Sequence, residues 1–142
     1  MNILKTLSIS LLTFALQGTA LAENTAIVPV PREGSWPEKQ RKLSAWPEKE
    51  NVAVLFFGDS ITEAWRKEGP KGGLAVWQEK FAPLNAANFG ISGDRTQQAL
   101  WRIEHGELDG LRPKVVVVML GTNNTGKERS GEPRNTVAET IE

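Results

Sequence analysis

Three short polar clusters carry residue types that acyl transfer needs: Gly58-Asp59-Ser60, then Asn88-Phe89-Gly90-Ile91-Ser92-Gly93-Asp94, then Gly121-Thr122-Asn123-Asn124. Each follows an apolar run. A serine at a strand-to-helix turn presents its hydroxyl to the crevice and turns its own backbone N–H toward the same point, where the start of a helix favours negative charge. A glycine such as Gly93 lets a backbone N–H approach a developing oxyanion with no side chain in the way. The Asn123 amide offers a third donor, and losing one such donor costs enzymes about 3 to 4 kcal/mol of transition-state stabilisation. Taken singly the clusters are weak signals, because Gly, Asp, Asn and Ser are common turn residues. Their order and their common placement after apolar runs carry the reading.

The elements that must position these clusters follow from hydrophobic spacing. Residues 52–57, Val-Ala-Val-Leu-Phe-Phe, form an unbroken apolar run that fits a strand buried on both faces. Ile61, Ala64 and Trp65 follow at helical spacing, and Leu74, Trp77 and Phe81 repeat it on a second amphipathic stretch. Residues 85–89 predict a second short strand, and Asp94 is placed to cap the next helix, on which Leu100 and Ile103 face one way. Gly110 and Pro113 bracket its exit, and residues 115–120 are the clearest strand. Strands alternating with helices predict an α/β domain with a parallel sheet, whose strand ends converge on one crevice. Trp65, Trp77 and Trp101 lie on apolar helical faces and read as core, and Asp59 reads as a brace for the turn. Residues 23–51 read as a polar leader with little chemistry, in which Trp-Pro-Glu-Lys occurs at 36–39 and again at 46–49, and in which residues 37–43 predict a short helix packing Trp36 or Trp46 onto the domain.

The three clusters, quoted as Phe57-Gly58-Asp59-Ser60-Ile61-Thr62, residues 88–94 and residues 121–124, resemble the first three conserved blocks of the SGNH hydrolases, also called GDSL esterases. The stretch from Asn88 through Trp101, Gly106-Glu107-Leu108 and Pro113 to Asn124 looks especially like the catalytic subunits of platelet-activating factor acetylhydrolase IB and their bacterial relatives. The resemblance covers roughly residues 52–124. It implies a flavodoxin-like parallel sheet with helices on both faces, Ser60 as nucleophile, and an oxyanion hole made by the Ser60 N–H, the Gly93 N–H and the Asn123 side chain. It also implies a fourth block, Asp-x-x-His, which this sequence does not contain. The single histidine, His105, falls in Glu104-His105-Gly106-Glu107 and reads as a solvated side chain at a helix end. The expectation is therefore an N-terminal fragment with residues 52–142 as an incomplete domain. Its sheet, in the order 2-1-3, leaves the apolar third strand as an open edge. Without its base, Ser60 keeps a hydroxyl's ordinary acidity, so the fragment is expected to be inactive.

Composition narrows the alternatives. Lys plus Arg and Asp plus Glu are 17 each and scattered along the 142 residues, which argues against a nucleic-acid partner. There is no cysteine, so disulfides, thiolate metal sites and a cysteine nucleophile are excluded together, and no metal or organic cofactor is implied. The leading function is a serine ester hydrolase, an acylesterase or lipase-like enzyme, acting through an acyl-enzyme on a small-molecule or carbohydrate ester with a short acyl group such as acetyl. The competing class is a non-catalytic module that binds an acyl ester or carbohydrate without turnover. A flavodoxin-like nucleotide binder ranks last, since no glycine-rich phosphate loop opens a helix.

Residues 1–22 read as a signal peptide: Lys5, an apolar stretch over 7–16 interrupted by Ser8, Ser10 and Thr13, and Ala20-Leu21-Ala22. That stretch is well short of the roughly 20 residues needed to span a bilayer. Cleavage after Ala22 and export to the periplasm or beyond are expected, and Edman sequencing of exported material should begin at Glu23. A start at Met1 would overturn the reading.

Overall fold

The apolar run after residue 51 lies at the centre of a parallel sheet. In the computed structural model, which describes residues 23–142, β1 (Val54–Gly58) pairs with β2 (Ala86–Gly90) on one side and β3 (Val115–Met119) on the other. The order is β2-β1-β3, as expected, and all pairs are parallel. Register decides where the loops begin. Gly58 stands opposite both Gly90 and Met119, so the three carboxyl ends are level and the loops leaving them start side by side. The predicted signal peptide lies outside the described residues; among those described, no helix is long and apolar enough to cross a membrane.

Helices cover both faces of the sheet. On one face Leu55 and Phe57 of β1 join Ala87, Phe89 and Ile91 and pack with α1 (Trp36–Ser44) and Ala99 of α4 (Thr96–Glu104). Pro37 sits in the first turn of α1, where its missing N–H costs nothing. Trp36 is buried edge-on to Trp101, and Trp46 packs on Phe89, so the segment read as a leader supplies core residues through both tryptophans. On the other face Phe56 meets Trp77 and Phe81, each with ring centroids 5.0 Å away, and Phe81 meets Trp65 at 5.6 Å. Such aromatic pairs contribute about 0.5 to 1.5 kcal/mol each beyond the area they bury.

Local structure departs from the sequence reading where backbone chemistry overrides spacing. The helix after Ser60 is one turn, α2 (Ser60–Glu63), tightening to a 3-10 turn over Ala64–Arg66 before Gly69, Pro70, Gly72 and Gly73 end it. The second amphipathic stretch begins as α3 (Leu74–Val76) and widens into a π turn over Trp77–Phe81, which brings both aromatic rings onto Phe56. Asp94 does not cap α4; Arg95 occupies the cap position, because both Asp94 oxygens are taken by donors in the core. Phe56 and Val54 are half-buried, so β1 is fully covered on one face only. Along β3 every residue is 40 to 61% exposed, the open edge that the strand order implies. α5 (Val137–Ile141) closes the described chain with a Thr136/Glu139 capping box.

Close approach between α2 and β2 is set by absent side chains. A Cβ on Gly90 would lie 2.7 Å from the Thr62 carbonyl carbon and 2.8 Å from Glu63 Cα, so only glycine lets the turn sit on the strand. Asn88 then clamps it, its Nδ2 donating to Thr62 O at 2.7 Å while its Oδ1 accepts from Gly90 N at 3.0 Å. Glu63 is the charged part of this clamp: it accepts from Lys39 Nζ at 3.0 Å and from Ser92 N at 2.8 Å. Burial alone would raise its pKa, but the bond to Lys39, the charges of Lys39 and Lys67, and the Ser92 N–H together hold it below the ordinary 4.5. A carboxylate depressed in the folded state stabilises above its unfolded value, and that contribution is lost as pH falls through the folded one. Glu63→Gln should therefore lower the urea midpoint at neutral pH and lose its difference from the parent as pH drops below 4.5. A difference that stays constant down to pH about 3 would exclude the ionised carboxylate as the cause.

Candidate active site

The three polar clusters meet above the level ends of the strands. At the end of β1 the wholly buried Asp59 caps α2, its Oδ1 accepting from Ile61 N at 2.9 Å, so it braces the turn. Ser60 is the first residue of α2 and is half-buried. From the β2 loop, Ile91 N donates to Gly58 O at 3.0 Å and Ser92 N to Glu63, which places Gly93 beside the β1 turn. Gly93 has φ +83°, a left-handed conformation that an L side chain rarely adopts. From the β3 loop, the Asn123 amide donates to Asp94 O at 2.7 Å and lies 3.3 Å from Asp59 Oδ2. One side chain thus spans all three loops.

Asn124, its neighbour, fixes the loop from beneath. It is fully buried, accepts from Thr96 N at 3.0 Å, and donates to Thr96 Oγ1 at 2.8 Å and Gln97 Oε1 at 3.0 Å. The β3 loop is thereby fastened to the first turn of α4, and Asn123 is held where its amide faces the crevice wall. Gly93 and Asn123 line one polar cavity, whose wall does not include Ser60.

Beneath the site lies an ionic cluster that hydrophobic spacing does not announce. Arg102 is wholly buried; its Nη1 donates to Asp94 Oδ2 at 2.9 Å, its Nε to Glu107 Oε1 at 2.9 Å, and its Nη2 to Phe89 O and Glu107. Trp36 Nε1 donates to the other Asp94 oxygen at 2.7 Å. Burial pushes the Asp94 and Glu107 carboxyls up from the usual carboxylate range, against the pull of Arg102. The signal in the sequence is positional: Arg102 follows Ala99 by three residues and shares its inward face.

One further residue corrects the sequence reading. Arg32, in the segment taken to hold little chemistry, reaches across to donate from Nη1 to Ser92 O at 2.9 Å and lies 3.4 Å from Asp94 Oδ1. Its guanidinium overlies Gly93, since a Cβ there would stand 2.9 Å from Nη1. Nothing in the leader's polar composition distinguishes Arg32 from its solvated neighbours. His105 is exposed, as expected: it stacks on Trp101 with ring centroids 3.8 Å apart, and its Nδ1 lies 2.8 Å from Trp101 O. It follows the last residue of a nine-residue helix whose first turn adjoins the crevice, so about 13 Å of helix separates it from that end.

Residues 56–142 match the GDSL-like Lipase/Acylhydrolase family. The chain is similar to the platelet-activating factor acetylhydrolase IB subunit alpha1 of Bos taurus and of Homo sapiens, 41% identical over 109 residues, which cover 73% of this chain and 44 and 45% of those proteins. It is 35% identical over 116 residues to the alpha2 subunit of Rattus norvegicus, covering 76% of this chain and 48% of that one. The chain therefore spans a little under half the length of these relatives. With its parallel β2-β1-β3 sheet and the matched span running from β1 through α5, this chain belongs to the GDSL-like lipase/acylhydrolase family.

Proposed function

We propose that Ser60 is the nucleophile of a serine ester hydrolase and that the Ser60 N–H, the Gly93 N–H and the Asn123 amide receive the oxyanion. The observation that carries this reading is the Asn123 amide, which touches the loops of both other clusters. Its 2.7 Å bond to Asp94 O anchors it, and the weaker 3.3 Å contact to Asp59 is the one an oxyanion would replace. In the acylation step Ser60 Oγ bonds to the ester carbonyl carbon, its proton passes to a base, and the carbonyl electrons move onto oxygen. The C–O bond to the alcohol then breaks and the alcohol leaves with that proton, after which water repeats the sequence on the acyl-enzyme.

The base is the part these 142 residues do not supply. There is no Asp-x-x-His, and the one imidazole is committed to Trp101 at the far end of α4. The chain alone is accordingly expected to turn over ester slowly. A short acyl group is the preferred substrate feature, supported by the name acetylhydrolase that the relatives carry, with a small-molecule or carbohydrate alcohol. Export after cleavage near Ala22 belongs to the same proposal and rests on the composition of residues 1–22.

Hydrolysis of p-nitrophenyl acetate tests this, with the 142-residue chain beside the same reading frame carried past Glu142 to any Asp-x-x-His it encodes. The longer chain should be active. Within it, Ser60→Ala should cost about 10⁴-fold or more in kcat and Asn123→Ala about 10² to 10³-fold. A Ser60→Ala protein as fast as its parent would remove the nucleophile assignment, and ester binding without turnover in the longer chain would favour a binding module.

A further inference from the structure

Beside the candidate oxyanion donors lies a polar cavity of about 330 Å³, walled by Arg32, Gly93, Arg95, Gln98, Asn123 and Arg134. Three guanidinium groups on one small cavity are unusual unless carboxylates match them, and here the match is incomplete. Asp94 is already held by the buried Arg102 at 2.9 Å, leaving Arg32 a longer 3.4 Å contact. Glu128 serves two arginines at once, Arg95 Nη1 at 2.6 Å and Arg134 Nε at 3.5 Å, with its own side chain 44% exposed. Among the described residues Arg134 Nε is buried and, beyond its 3.5 Å contact to Glu128, has no hydrogen-bond partner. Counting Arg102 and Glu107 with the group, four guanidinium groups face three carboxylates.

Scaffolding accounts for only part of each arginine. Arg32 uses Nη1 on Ser92 O, and Arg134 uses Nη1 on Asn123 O at 2.7 Å, so the residues that shape these two loops also wall the cavity with their guanidinium groups. A guanidinium fork matches a carboxylate or phosphate bidentately. Gly93 takes part through its missing side chain, since a Cβ would press on the Arg32 guanidinium and fill the gap between it and the loop.

We propose that this cavity is an anion subsite, and that the ester this site takes carries a carboxylate or phosphate on its acid or alcohol part, a short distance from the scissile bond. The substrate half of that statement rests on the ester-hydrolase reading above; the anion site does not. Its test is therefore a binding measurement on the chain itself. The backbone N–H of Gly93 and the side-chain NH2 of Asn123 are followed by ¹⁵N–¹H NMR during separate titrations with inorganic phosphate and with succinate. Both signals should shift saturably with at least one anion, and the tighter of the two identifies the group. Arg95→Gln, which removes a charge paired among the described residues with Glu128, should weaken binding about tenfold. Lys114→Gln, which removes an exposed cation entering β3, should leave it unchanged. Shifts that never saturate, or equal weakening by Lys114→Gln, would mean an adventitious ion only and overturn the proposal. Ser60 takes no part in the titration, so an active Ser60→Ala enzyme would remove the hydrolase reading and leave the subsite to stand or fall on these shifts.

Discussion

A single buried guanidinium ties the site's second loop to the core. Arg102 is fully enclosed, with the Phe57 ring 4.5 Å below it, and it reaches Asp94, Glu107 and the Phe89 carbonyl at once. Enclosing such a charge costs several kcal/mol in lost hydration, which only well-made bonds offset. Here the bonds run to both ends of the chain's α4 unit. Asp94 lies just before the helix and Glu107 just after it, so the ion cluster fixes where α4 begins, where it ends, and how it sits on β1 and β2. Among the described residues one Glu107 oxygen has no hydrogen-bond partner, while the other accepts twice from Arg102. Removing Arg102 would strand two buried carboxylates, which is why the whole arrangement depends on it.

From that anchor the geometry of the crevice follows by short steps. Asp94 is held on the inside by Arg102 and Trp36, and its main-chain carbonyl accepts from Asn123. The level register of the strand ends brings Gly58, Gly90 and Met119 abreast. The glycines at 58 and 90 remove the side chains that would hold the loops apart: a Cβ on Gly58 would come 2.5 Å from Met119 O. Charge at the core, register in the sheet and missing Cβ atoms at the rim are separate constraints, and they agree on one location.

How far the sequence discloses this depends on the kind of interaction. The three strands and their order are legible because strands of a parallel sheet read as plain apolar runs, even where, as along β3, the edge is exposed, and the runs at 52–57, 85–89 and 115–120 fall within two residues of β1, β2 and β3. Ser60, Gly93 and Asn123 are legible as candidates because each ends such a run. What spacing misses is polar and long-range. Asp94 reads as a helix cap on local grounds, but Trp36, 58 residues earlier, and Arg102, 8 residues later, claim its oxygens. The residues before 52 read as a leader because their composition is polar, although Trp36 and Leu43 are core and Arg32 lies over Gly93. Helix lengths after Ser60 and Leu74 fail for a local reason, since glycines, Pro70 and Pro83 end or distort what amphipathic spacing alone would continue.

If the Asn123 amide receives an oxyanion as proposed, the crevice must be built from competing bonds. A donor that awaits transient charge cannot be left bare in a half-buried loop, because an unmatched buried N–H costs about 1 to 3 kcal/mol. Nor can it be tied too well, because a strong ground-state partner would have to be broken as the oxyanion forms. The amide's two hydrogens resolve this by dividing the roles. The bond to Asp94 O at 2.7 Å is short enough to set direction, and the 3.3 Å contact to Asp59 is weak enough to give way. Asp59 loses little when it does, since its other oxygen still caps α2 through Ile61 N. On the proposed assignment the turn that presents Ser60 would keep its brace while the loop opposite changes partner, and the orientation of the site would be maintained by bonds that do not take part in the exchange.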